Sequence, residues 1–359
     1  MRPALKQGLI PVWRDRDTLQ VGIDSRRAVA LTGLGGAAWL LSLLDGSRDR
    51  AQVIAAAADR GLPADLADRV LTLLAAAGAL DDYPAGTLRA LTQAERARLA
   101  PELADASLAH GDTDGGARIL ARRQAARIHV CGPGPIAPEI TAILTRAGVA
   151  EAVCTSTWPG APATRPRPPA RATRPRSPRP AAADGPPPPA TRPTRSTSAG
   201  SRARELLAGR EPRPDLVVLV GVPDPQVGER LMAHGLPHLV AAGIEAIGLV
   251  GPLVVPGRTA CLRCLDLTRA ELDPAWPLIL AQLAGRQADP PACGAVLTAS
   301  VAALAAAQAL LFVDRPGRAG PAWNGTLELE VPGWQWRRRT WLPHPDCNCA
   351  RRPGLPSDR

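Results

Sequence analysis

Four of the seven cysteines in this 359-residue chain fall into two close pairs. Cys261-Leu-Arg-Cys264 is a C-x-x-C knuckle, and Cys347-Asn-Cys349 is a C-x-C pair. Such spacing lets both thiolates of a pair turn to one ion, and a second pair completes a tetrahedral sulphur set with no open position. The chemistry expected is therefore structural zinc that staples the C-terminal tail to the end of a sheet, with binding energy that is also folding energy. A redox C-x-x-C is the competing reading, and the second pair weighs against it. Cys131, Cys154 and Cys293 stand alone and read as core thiols. His344 is close to the tail pair, but the sulphur set is complete without it.

A second candidate lies at RIHVCGPGPIAPEITAILTRAGV, which reads as strand, glycine turn and helix. Gly132 and Gly134 form a turn of the kind that lets backbone amides and a helix N-terminus face a phosphate. Pro133 and Pro135 remove two of those amides.

The elements that must position these groups follow from patterning. DLVVLVG (215–221) is a continuous apolar run of the buried parallel type. GERLMAHGL follows as a short helix and PHLVAAGI as the next strand. AIGLVGPLVVPGRTACLRC supplies further strands leading to the knuckle, and ACGAVLTASVAALAAAQALLFV is a long buried helix. GTLELEVPG and QWRRRTWL are strands before the tail. The alternation predicts an α/β domain over 127–350 with a mainly parallel, Rossmann-like sheet.

Residues 1–85 form a separate pattern. Short strands surround tight turns at Arg14–Asp17 and Asp24–Arg27. GGAAWLLSLLDG is an apolar helix, Ser47 offers an N-cap for a second, and a third carries Leu66, Val70, Leu73, Leu74 and Ala77 at helical spacing. Strands, three helices and a short apolar end make the module similar to a winged helix (α+β). Residues 86–126 read as a polar, partly helical connector and 351–359 as a tail.

The net charge of +10 suggests nucleic acid, but its placement does not. Between 155 and 214 twelve arginines face Asp184, Glu205 and Glu211, so this one segment holds nine of the ten charges. The segment contains Trp158 as its one aromatic and no lysine, which gives bases nothing to stack on. Its Pro, Arg, Ala, Thr and Ser composition predicts disorder. It interrupts the α/β domain where a helix and a strand belong, as a linker or as a shifted reading frame in a GC-rich gene. No uninterrupted apolar run suggests a membrane span. The start, MRPALKQGLIPVWRDRD, has no signal-like apolar region, which points to the cytoplasm.

Together these residues resemble the ThiF/MoeB (ubiquitin-activating-enzyme-like) family, on GPGPIA (132–137), DLVVLV with Asp224 downstream, PHLVAAG, GPLVVPGRTACLRC, the small-residue helix and the cysteine pairs. The resemblance covers about 127–154 and 215–350. The chain is more closely similar to the divergent cyclodehydratase C-type, leader-peptide-binding proteins of thiazole/oxazole-modified peptide (TOMM, bacteriocin) biosynthesis. The segments that carry this are LQVG (19–22), VALTGL (29–34), LLDG (43–46), GPLVVPGRTACLRCLDLTRAELDPAW (251–276), LAAAQAL (304–310) and RRRTWLPHPDCNC (337–349).

That resemblance implies that the first module binds the leader of a ribosomal precursor peptide by strand addition, beside a helix groove. The expected contacts are Leu19, Val21, Ile23, Val29, Leu31, Leu66 and Val70. The free edge is expected near Leu19–Ile23 or Ala28–Leu31, with Arg26 and Arg27 at its rim. A separate kinase-like cyclodehydratase would use ATP to form the azolines, and the resemblance makes a homodimer the default. The resemblance makes Asp224 a possible remnant of a magnesium site. No carboxylate stands between Glu151 and Asp184 to hold a ribose, and no Asn-Leu-x-Arg pattern appears. ATP and magnesium are therefore not expected as cofactors of this chain alone. The alternative is an active ThiF-type adenylyltransferase that acts on a peptide or ubiquitin-like C-terminus.

Overall fold

The computed structural model describes residues 1–82, 88, 90–159, 212–283 and 292–351. It divides into two compact units: Met1–Ile128 with Ile140–Ala152 and Ala306–Gly320, and His129–Glu139 with Val153–Ala305 and Pro321–Arg359.

The first unit begins with strands β1 (Pro3–Leu5), β2 (Pro11–Trp13), β3 (Leu19–Val21) and β4 (Val29–Leu31). Asp15 accepts from the amides of Asp17 and Thr18, and Asp24 accepts from Arg26, which closes the two expected turns. The result is an antiparallel meander, β2-β3-β4, with β3 in the middle. GGAAWLLSLLDG forms a 3-10 helix over Ala37–Leu43, not an α-helix; it starts from a left-handed Gly36 that offers no side-chain cap. Helix α1 (Arg50–Ala58) is capped by Asp49 in a capping box with Gln52. Ser47, the expected cap, instead donates to Asp45.

Helix α2 (Ala64–Ala76) buries Ala67, Val70, Leu71 and Leu74. Leu73, expected inward, is exposed, and Leu66 is half-buried, so the apolar face is rotated from the sequence reading. β5 (Leu80–Asp82) pairs with β1 in a separate two-stranded ribbon. The stretch expected as a connector is largely helical: α3 (Gln93–His110), opened by a Thr92/Glu95 capping box, and α4 (Ala117–Ala125). Leu88, Leu99, Ala117 and Leu120 form its core. Arg123 is buried and donates to both carboxylate oxygens of Asp314, to Glu102 and to the carbonyl of Ala147.

The remaining strands are β6 (Arg127–Cys131), β7 (Glu151–Thr155), β8 (Leu216–Val220), β9 (His238–Ile244), β10 (Ile247–Val254), β11 (Gly325–Glu330) and β12 (Gln335–Thr340). The remaining helices are α5 (Ile136–Arg146), α6 (Pro225–Ala233), α7 (Leu262–Leu272), α8 (Trp276–Leu283) and α9 (Ala295–Asp314). The strands form one sheet in the order β12-β11-β10-β9-β8-β6-β7. β8 is buried at every position, as its apolar run requires.

β8 and β9 are parallel and three of the six neighbour pairs are antiparallel, so the sheet is mixed. The first reversal has a local cause. Glu245 and Ala246 both take positive φ, 53° and 63°, the backbone of a tight hairpin turn that returns β10 antiparallel to β9. Helix α9 is long and apolar enough to cross a membrane by length and composition, although the sequence reading found no span. Half of that window is buried within the protein, including Val301, Ala302, Ala305, Ala306 and Ala309.

The stretch expected to be disordered, 155–214, is ordered at both ends. Thr155 ends β7, Trp158 is buried, and Pro214 is buried before β8. Residues 160–211, like 83–87 and 352–359, lie outside the described residues.

Candidate metal centre and nucleotide crevice

Cys261 is the N-cap of α7, and Cys264 stands one turn in, its amide donating to the Cys261 carbonyl at 3.0 Å. The tail returns Cys347 and Cys349 to the same place. The Sγ atoms of Cys261 and Cys264 are 3.8 Å apart, those of Cys261 and Cys347 3.6 Å, and those of Cys264 and Cys349 3.4 Å. All four lie within 4.8 Å of one another. A tetrahedron with metal–sulphur bonds of about 2.3 Å has edges of about 3.8 Å, so the four sulphurs can hold a metal ion. Without a cation they could not all ionise. The two sulphurs of the knuckle shift each other: Cys264 raises the Cys261 thiol, and Cys261 lowers that of Cys264.

Neighbouring groups fix both cysteine pairs. The Asn324 side chain accepts from the Ala260 amide at 2.7 Å, and the Asn324 carbonyl accepts from the Trp341 amide at 2.9 Å. Trp341 is buried and donates its indole N–H to Thr326. The guanidinium of Arg269 lies 4.9 Å from the Trp276 ring and 5.3 Å from the Trp341 ring, which binds α7 to the tail. His344 is no ligand: its Nδ1 accepts from the Asp346 amide and its Nε2 meets Glu271 at 2.9 Å. This support was missed in the sequence. The available signal was eight tryptophans against one phenylalanine and one tyrosine, several of them near the tail.

The glycine turn is built for something other than phosphate. Gly132 has φ +142°, and a Cβ there would stand 2.2 Å from the Val220 carbonyl oxygen and 3.0 Å from Trp158 Nε1. Glycine is required by the end of β8 and by an indole. The Gly132 amide donates to the Thr155 carbonyl at 2.9 Å. Pro133 and Pro135 have no amide hydrogen, and Glu139 places a carboxylate in the first turn of α5, where an anion would otherwise be favoured. Gly134, at φ +90°, is open. Asp224 is the N-cap of α6 and accepts from the Gln226 amide at 2.8 Å. These residues do not fit a nucleotide triphosphate.

In the first unit, Leu19, Val21, Leu31 and Val70 are core residues, Val29 and Leu66 are half-buried, and Ile23 is exposed. β3 is bonded on both sides, so Leu19–Ile23 is not an edge; β4 is. Arg26 is already held by Asp24 through two hydrogen bonds of 2.9 and 2.8 Å.

No family model matches the chain, and no curated protein matches it. Solved structures do. The heterocyclase TruD superposes with a TM-score of 0.59 at 15% identity over 97% of this chain, which spans 42% of TruD's length. The Escherichia coli microcin C7 biosynthetic enzyme MccB, in complex with N-formylated MccA, gives a TM-score of 0.59 at 15% identity over 98% of this chain and 100% of MccB. MccB with ATP gives 0.58 at 15% identity, over the same shares. The mixed α/β fold is thus one shared with TruD and MccB.

Proposed function

We propose that this protein is a leader-peptide-binding scaffold of ribosomal azoline/azole (bacteriocin-like) peptide biosynthesis. It holds a precursor peptide for a separate kinase-like cyclodehydratase and does not itself adenylate. Residues 1–85 serve as the winged-helix-like recognition module. Zinc is the ion held by Cys261, Cys264, Cys347 and Cys349, with a structural role. A homodimer in the cytoplasm completes the proposal.

The observation that carries this reading is the edge strand β4, which packs against α2 and has no partner on its outer side among the described residues. A leader strand added there would gain main-chain hydrogen bonds, with Val29, Leu66 and exposed Leu73 available to apolar side chains. Titration of the full chain with the leader encoded beside its gene should give a micromolar Kd, about −8 kcal/mol. Val29→Asp or Leu66→Asp should weaken it at least tenfold. A leader that fails to saturate at millimolar concentration, or that DNA displaces, would reject the proposal.

The adenylyltransferase reading is favoured by one observation, the near-complete coverage of MccB in both directions. Pyrophosphate exchange with candidate peptides separates the two readings.

A further inference from the structure

The chain enters its sheet at β6, moves to β7 on one side, then continues through β8 and β9 on the other. Strand order therefore reverses between β6 and β8. In open α/β sheets the ligand crevice lies at that reversal, beyond the carboxyl ends of the strands. The last residue of β8 is Val220, and Gly132 immediately follows the last residue of β6. Trp158 sits on both: its Nε1 donates to the Val220 carbonyl at 2.9 Å and lies against Gly132.

The indole is 7% exposed and belongs to one apolar cluster with Cys131, Val217, Leu219, Val227, Leu231 and Leu236. The segment that brings it there is pinned. Thr155 takes the Gly132 amide, and its hydroxyl donates to the Thr157 carbonyl at 3.0 Å.

We infer that Trp158 is the resident occupant of this crevice: the chain closes its own nucleotide site with a planar aromatic side chain of about the size of a purine. Three consequences follow from the geometry. The turn glycine accommodates the indole, the first turn amide is consumed by the segment that carries Trp158, and aliphatic side chains pack around the ring. The plug is independent of peptide recruitment, since a chain that bound no leader would still carry it.

The test uses the full chain and its Trp158→Gly variant. Wild-type protein should retain no Mg-ATP in equilibrium dialysis at millimolar nucleotide. Trp158→Gly should melt at a lower temperature, and millimolar indole should recover at least half of that loss while leaving wild type unmoved, because an apolar cavity accepts the ring it lost. Should the glycine variant not fold, Trp158→Phe keeps an aromatic filler without the Nε1 donor, and it should fold with a lower melting temperature and still exclude Mg-ATP. Micromolar Mg-ATP binding by wild type would overturn the inference. So would a Trp158→Gly protein that melts like wild type and ignores indole.

Discussion

The ammonium of Lys6 lies 3.6 Å from the Asp81 carboxylate, in the interior of the first unit. Lys6 is 2% exposed, and it donates to the carbonyls of Ser107 and Asp112 at 2.8 Å each. Asp81 in turn accepts the Ser107 hydroxyl at 2.9 Å. The cluster fastens the β1–β5 ribbon to the end of α3. Burial raises the Asp81 carboxyl above its usual range despite Ser107 and Lys6, so the pair is costly to hold and more costly to break.

Lys6→Met is therefore expected to destabilise the protein by roughly 3–5 kcal/mol, because it leaves a buried carboxylate without its cation. Adding Asp81→Asn should recover part of the loss by removing that charge. Urea midpoints measure both. A single variant as stable as wild type would show that the cluster contributes nothing.

The metal centre makes a second prediction. Freshly purified, reduced protein should contain about one zinc per chain. Cys261→Ser or Cys347→Ser should lose it and should lower stability by several kcal/mol, about the scale of a lost structural metal. Elemental analysis and denaturation with and without chelator check this. His344→Ala should keep the ion, since both ring nitrogens are engaged elsewhere.

A third prediction concerns acid. His238 is fully buried at the start of β9; its Nδ1 bonds the Leu236 carbonyl at 2.9 Å, and its Nε2 has no hydrogen-bond partner among the described residues. Burial lowers its pKa to about 4. An unfolded histidine titrates near 6.5, so between these values only the unfolded chain takes the proton. The stability is complete above about pH 6.5 and is lost as pH falls towards 4, by roughly 3 kcal/mol for this one group. His238→Leu should flatten the profile relative to wild type between pH 7 and 4. Parallel profiles for the two proteins would show that another group titrates.

Residue spacing made the cysteine quartet and the major strands legible, because apolar runs and C-x-x-C pairs are local signals. The order of three-residue strands is not local: β3 and β4 are equally short, and only packing put β3 in the centre. Helix α3 was obscured by its composition. Over 18 residues it buries only Leu99, Ala106 and Ser107, too few for a stripe. Lys6 and Trp158 were hidden by their surroundings. One is a cation just past a three-residue strand, and the other opens a Pro/Arg stretch that reads as unable to bury anything.

The last prediction separates a cap from a metal ligand at Asp224. Its carboxylate accepts from the Gln226 amide, Pro225 occupies the first helical position, and the Asp224 carbonyl accepts from Val227. Those are the bonds of an N-cap. Asp224→Ala should cost about 1 kcal/mol, and Asp224→Asn, which keeps an acceptor oxygen, only a few tenths. Pyrophosphate exchange should remain at background in wild type and in both variants. If the aspartate instead held a catalytic cation, Asp224→Asn would leave stability intact and abolish a robust wild-type exchange. That pattern would reinstate the adenylyltransferase reading, since asparagine preserves the cap and removes the charge that a divalent cation requires.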